Sequence, residues 1–266
     1  MLEPMRTDTN IRFYDIKNLQ KLLNITLLHD YGYKISRISE LPEEGIPALV
    51  QEITSDKSVK HHAISCFKMA MMNFNQELFT NTYNGLLSTK SFREVFQDIF
   101  IPLLGEIGML WQSDTISPAH EHFISYLIKQ KIIWNTEAIQ SAKPINTDKV
   151  FILFLPLNEI HELGLMYLNY EMILHGYKTV FLGESVDYSN LKILKGYFSN
   201  IVYVSNLTVE PHRNELQQYL DRFSEQLLDE TTQLWLTGRL IRNITTEDLA
   251  KAIRIYNSIP ELIKNL

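Results

Sequence analysis

The chain has 266 residues, 45% of them hydrophobic and 21% charged, which excludes a disordered polymer and allows two or three compact units. A formal net charge of −6 excludes a polycation that binds nucleic acid over its whole surface, so any DNA contact needs a local patch. The single cysteine, Cys66, excludes an intrachain disulfide; with no signal-peptide pattern and no apolar run longer than residues 150–157, the expectation is a soluble cytoplasmic protein without a membrane span.

Residues 1–45 form the first expected unit. The stretch Arg6-Thr-Asp-Thr-Asn-Ile-Arg12-Phe-Tyr14-Asp15 is polar at its start and β-prone at its end, and predicts a small hairpin. Asp15 then reads as an N-cap, with Leu19, Leu22, Leu23 and Leu27 at helical spacing behind it and a stop near Gly32. A second short helix is expected over residues 34–41, ending before Pro42.

Residues 46–142 read as entirely helical. Phe67, Met71, Phe74 and Leu78 make one stripe. Phe92, Val95, Phe96, Ile99, Leu103 and Ile107 make a second, and Phe123, Leu127 and Trp134 follow on a helix after Pro118. Such stripes face one another in a four-helix bundle; they predict a core and identify no function.

Residues 143–266 change rhythm after Lys143-Pro144. Short apolar runs at 150–156, 178–182, 201–205 and 234–237 alternate with helical stretches near 163–175, 189–198, 212–227 and 246–254. The alternation predicts a flavodoxin-like (Rossmann-like), doubly wound parallel sheet, with a ligand at the C-terminal ends of its strands. The fold class is therefore multidomain, α and α/β.

The loop after the first of these runs reads Leu157-Asn-Glu159-Ile-His161-Glu-Leu-Gly164. An imidazole can bind a transition metal through one nitrogen while a carboxylate holds the other, which fixes its tautomer and raises its basicity. A histidine in a strand–helix loop also reads as an ordinary capping or solvated residue, and the spacing leaves both open. The third run ends Val204-Ser205-Asn206-Leu207 and the fourth Thr237-Gly238.

Taken together, these segments resemble the cobalamin-binding signature Asp/Glu-x-His-x-x-Gly, Ser-x-Leu, Gly-Gly, with Thr237 in place of the first glycine of the last pair. The resemblance implies that His161 is the lower ligand of cobalt and Glu159 its supporting carboxylate. Gly164 lets the next helix start close by, and Ser205, Leu207 and Gly238 line a slot for the displaced nucleotide tail. In the helical unit, Trp111 is followed, after nine intervening residues, by Glu121-His122. This resembles the Trp-x9-Glu-His motif of adenosylcobalamin-sensing regulators of the CarH type, where the Trp and Glu meet the upper ligand. Gln112 stands where light-responsive members carry histidine, so illumination is expected to loosen the cofactor rather than trap it.

Residues 6–41 resemble the second half of a MerR-type winged helix-turn-helix domain, with Arg6, Arg12 and Tyr14 inheriting phosphate contacts, which give affinity but no sequence choice. The sequence opens Met1-Leu-Glu-Pro, where that family is already past its recognition helix. The resemblance thus implies a partial winged helix, a bundle cap and a cobalamin domain. It implies a transcription regulator that turns over no substrate: cobalamin (adenosylcobalamin favoured) at the interface of bundle and α/β domain sets homo-oligomerisation and binding of the full-length protein to DNA. The alternative is a corrinoid carrier protein of a methyltransferase system.

Overall fold

In the computed structural model, the description covers residues 5–6, 12–13, 16–30, 33–42, 45–53, 56–113, 115–242, 244 and 250–266. The chain divides into two compact units, Met1–Leu127 and Ile128–Leu266. Among the described residues no helix is long and apolar enough to cross a membrane.

The first unit opens with the expected hairpin. Strands β1 (Met5–Arg6) and β2 (Arg12–Phe13) pair antiparallel, with Arg6 opposite Arg12. Tyr14 and the expected cap Asp15 lie outside the described residues. Helices α1 (Ile16–Asp30), α2 (Ile35–Ser39) and α3 (Gly45–Ile53) follow, and Leu28, Ile38 and Ile46 close a small core between them.

Helix α4 (Asp56–Met72) leads through a tight turn to α5 (Gln76–Leu87), whose N-cap Asn75 accepts from the Leu78 N–H at 2.9 Å. Ser91 and Glu94 form a reciprocal capping box that starts α6 (Phe92–Val95). A π-helical turn, Phe96–Phe100, joins it to α7 (Ile101–Gln112). Pro102 explains the turn: it has no N–H for the ordinary helical bond, and the wider turn absorbs the defect. Phe67, Phe79, Phe96 and Phe100 are fully buried, with Phe67 4.9 Å from Phe79 and 5.4 Å from Phe100 between ring centroids.

Two stripe positions differ from expectation. Phe74 is 49% exposed because it sits past the end of α4 with φ 50°, and Trp134 is 75% exposed on α8 (Pro118–Glu137). Their partners Met71, Leu78 and Leu127 are buried as expected.

The second unit is the doubly wound sheet. Strands β3 (Asn146–Phe154), β4 (Tyr177–Gly183), β5 (Ile201–Asn206), β6 (Thr232–Thr237) and β7 (Ile253–Ile255) lie in the order β4-β3-β5-β6-β7, all parallel. Helix α9 (Leu163–Leu174) lies on β3, β4 and β5 and packs against α12 (Ile259–Ile263). Helices α10 (Tyr188–Ile193) and α11 (Leu216–Leu227) pack together, and Leu191, Leu216, Leu220 and Phe223 join Ile152, Phe154 and Tyr203 in one apolar core.

One element differs. Residues 246–254 read as a helix from their spacing; 246–249 lie outside the described residues, and 253–255 form the edge strand β7, whose three residues are too few to show a period of their own. The strand order is the flavodoxin-like one, with its topological switch between β3 and β5, so the loops leaving those strands diverge and open a crevice there.

Candidate functional site

Both loops at the switch point meet on one carboxylate. Glu159 is fully buried, although it leaves β3 on a surface loop. Its Oε1 accepts from the backbone N–H groups of Ile160 and His161, each at 3.0 Å, and lies 2.6 Å from His161 Nδ1. Its Oε2 accepts from the N–H groups of Thr208, Val209 and Glu210 at 3.1, 2.7 and 3.0 Å. Burial opposes the charge, but the His161 ring and the N–H groups of Glu210, Val209 and His161 outweigh it and hold the carboxyl at about 2. Glu159 is therefore an anion at neutral pH, and it favours a proton on His161 Nδ1. The ring's lone pair then belongs to Nε2. The His161 side chain is about half exposed at the rim of the sheet.

Gly164 stands in the first turn of α9, where an added Cβ would fall 2.8 Å from Asn206 Nδ2 and 3.2 Å from Ile259 Cδ1. Lys129 and Glu162 form an ion pair at the start of the same helix. Gly238 follows β6 with φ +117°, and a Cβ there would fall 2.2 Å from the Leu207 carbonyl oxygen. Leu207 is fully buried and belongs to the core shared with α11.

Ser205 and Thr237 are fully buried, and among the described residues neither hydroxyl has a hydrogen-bond partner. Ser205 is in register with Leu236, and Thr237 with Asn206, so the two hydroxyls point to opposite faces of the sheet. Orphaned hydroxyls at the ends of neighbouring strands are the kind of group a bound polar molecule satisfies. A half-exposed imidazole held by a buried carboxylate, with the orphaned Ser205 hydroxyl at the end of the neighbouring strand, fits a large cofactor that brings its own metal.

The sequence reading missed residues 208–210. They act through backbone N–H groups, which leave no trace in residue type. It also missed a cleft of about 190 Å³ walled by Leu157, Asn158, Tyr188, Glu210, Pro211 and Tyr219.

The first unit holds the other expected residues. Trp111 ends α7 and is 44% exposed, too open for a core side chain. Glu121 lies in the first turn of α8 and accepts from Ser125 Oγ at 2.5 Å. His122 is largely exposed, with Nε2 3.6 Å from Glu121. Neighbouring His120 packs within the unit: its Nδ1 accepts from the Ser117 N–H at 3.2 Å, and its ring stacks on Phe74 at 4.7 Å. The backbone pairing of Arg6 with Arg12 is all that is described of the expected phosphate contacts.

Comparison with known proteins agrees with this picture. Residues 66–134 match the family described as B12 binding domain. The chain is 23% identical over 253 residues to the HTH-type transcriptional repressor CarH of Myxococcus xanthus, covering 91% of this chain and 82% of that protein. Its fold resembles the Methanosarcina barkeri monomethylamine corrinoid protein, with a TM-score of 0.62 and 14% identity over 75% of this chain and 94% of that one. The likeness to CarH-type, cobalamin-binding regulators read from the motifs is thus borne out, as is the fold class of a helical bundle with a corrinoid-type parallel sheet.

Proposed function

We propose that the chain is a cobalamin-sensing transcription regulator in which His161 binds the cobalt from below. The observation that carries this reading is the buried Glu159 carboxylate 2.6 Å from His161 Nδ1 at the switch point of a parallel sheet. The B12 binding domain match at residues 66–134 supports the cofactor, and the likeness to the repressor CarH supports the regulatory role. When bound, cobalamin would supply a cobalt ion that an imidazole can ligate, and His161 would be the residue to hold it.

The chain's own residues do the rest. Glu159 orients the imidazole and keeps the proton on Nδ1. Gly164 and Gly238 leave room where a side chain would clash, and Ser205, Leu207 and Gly238 line the slot for the nucleotide tail, with the Ser205 hydroxyl offered to a polar group of the cofactor. Trp111 presents a flat apolar face and Glu121 a hydrogen-bond acceptor, a pair suited to the base and ribose hydroxyls of an adenosyl group. His122 stands beside them. Arg6, Arg12 and Tyr14 serve phosphate contacts with DNA, and the regulator acts as a homo-oligomer.

Cobalamin added to the purified protein should give the spectrum of a histidine-ligated cofactor, and His161→Ala should remove it and weaken binding at least tenfold. A spectrum and affinity unchanged by that substitution would refute the assignment. The likeness of fold to the monomethylamine corrinoid protein supports a second reading, a methyl carrier. A carrier would pass a cobalt-bound methyl group to a partner methyltransferase, whereas a regulator would change its assembly and DNA affinity on binding the cofactor.

A further inference from the structure

Glu159 divides its hydrogen bonds between two loops. One oxygen serves its own loop, through Ile160 and His161, and the other takes three consecutive backbone N–H groups from the loop after β5. That second loop is fixed in turn. The Leu207 N–H donates to the Thr237 carbonyl at 2.8 Å, and the Leu207 carbonyl accepts from the Leu240 N–H at 3.0 Å. Gly238 lies against the same peptide so closely that no side chain fits. An unbroken series of close contacts therefore runs from Gly238, through Leu207 and residues 208–210, to Glu159 and His161.

A carboxylate bonded only within residues 159–161 would move with its loop. One bonded across the switch point as well moves with the sheet, and so does the imidazole it holds. Resting on the cobalamin reading, we infer that residues 208–210 are a positioning element for His161: their three N–H groups, acting through Glu159, fix where the imidazole stands and how readily it meets cobalt. The three sequence signatures, which lie far apart in the chain, then work as one device.

Val209→Pro tests this. It deletes the N–H of the shortest of the three bonds, and the Val209 side chain is 48% exposed, so little packing is lost. Val209→Ala keeps the N–H and is the control. In the cofactor-free protein, nitrogen NMR of the His161 ring should report one dominant tautomer, protonated on Nδ1, in the wild type and in Val209→Ala, and a mixture in Val209→Pro. In the cobalamin-loaded protein, the ratio of histidine-ligated to unligated bound cofactor should fall about tenfold in Val209→Pro and stay within about twofold in Val209→Ala.

Glu159→Asp, one methylene too short to reach both loops, should give the same loss, and it decides the matter if circular dichroism shows Val209→Pro unfolded. Wild-type tautomer and ligation in whichever of the two variants is folded would overturn the inference. Failure of the cobalamin reading looks different: the wild type would show no histidine ligation at all, while the tautomer measurement would still test the positioning role.

Discussion

Gly238 and Gly164 occupy similar signature positions but carry different constraints. At Gly238 both the positive φ and the backbone of Leu207 exclude a side chain. At Gly164 the obstacles are the ends of Asn206 and Ile259, which can shift. Gly238→Ala should therefore cost about 3 kcal/mol in a denaturant titration, and Gly164→Ala about 1 kcal/mol. Equal costs would mean that the Leu207 contact is not what constrains the loop. Cys66 gives a second check, since burial pushes its thiol up to about 11, against a small opposing effect of the Thr82 hydroxyl. It should stay unmodified by a thiol reagent at pH 8 in the folded protein and react fully in denaturant; fast reaction in the native state would contradict its place in the core. At this scale the sequence was readable where chemistry sits in side chains. Glu159 and His161 declare themselves by type and spacing, whereas the N–H groups of residues 208–210 belong to any amino acid except proline.

At the scale of elements, long periodic segments were legible and short or irregular ones were not. Three of the four apolar runs became the largely buried strands β3, β5 and β6, whose continuous apolar composition is distinctive, and the fourth became the half-exposed edge strand β4. The strand β7 is too short to show a pattern, and the π-turn at Phe96–Phe100 keeps the apolar spacing of the stripe while changing its hydrogen bonds. Phe74 left its stripe because α4 ends two residues earlier and the chain turns with positive φ. Caps decide such boundaries. Ser91→Ala removes half of the box at α6 and should cost about 1 kcal/mol in the same titration, an effect that a merely solvated serine would not show.

At the scale of the whole molecule, the proposed regulator must convert cofactor binding into a change of assembly, because a symmetric operator calls for a symmetric protein. The shift can be no larger than the difference in cobalamin affinity between the assemblies. Light scattering should therefore give different masses for cofactor-free and adenosylcobalamin-loaded protein, and illumination should return the loaded form toward the free one. One mass in all states would leave cofactor binding without this output. Trp111→Ala should narrow the preference for adenosylcobalamin over methylcobalamin, whereas equal loss for both would assign Trp111 to holding the bundle.

The central claim is that a protein nitrogen, that of His161, replaces the cofactor's own base beneath the cobalt. Electron paramagnetic resonance of the cob(II)alamin-loaded protein tests it without reference to any relative. Protein of natural isotopic composition should show each cobalt line split into a triplet by one nitrogen-14 ligand, and protein labelled with nitrogen-15, loaded with unlabelled cofactor, should show doublets instead. Triplets that persist in the labelled protein would mean that the cofactor's own base is still bound, and would contradict the account.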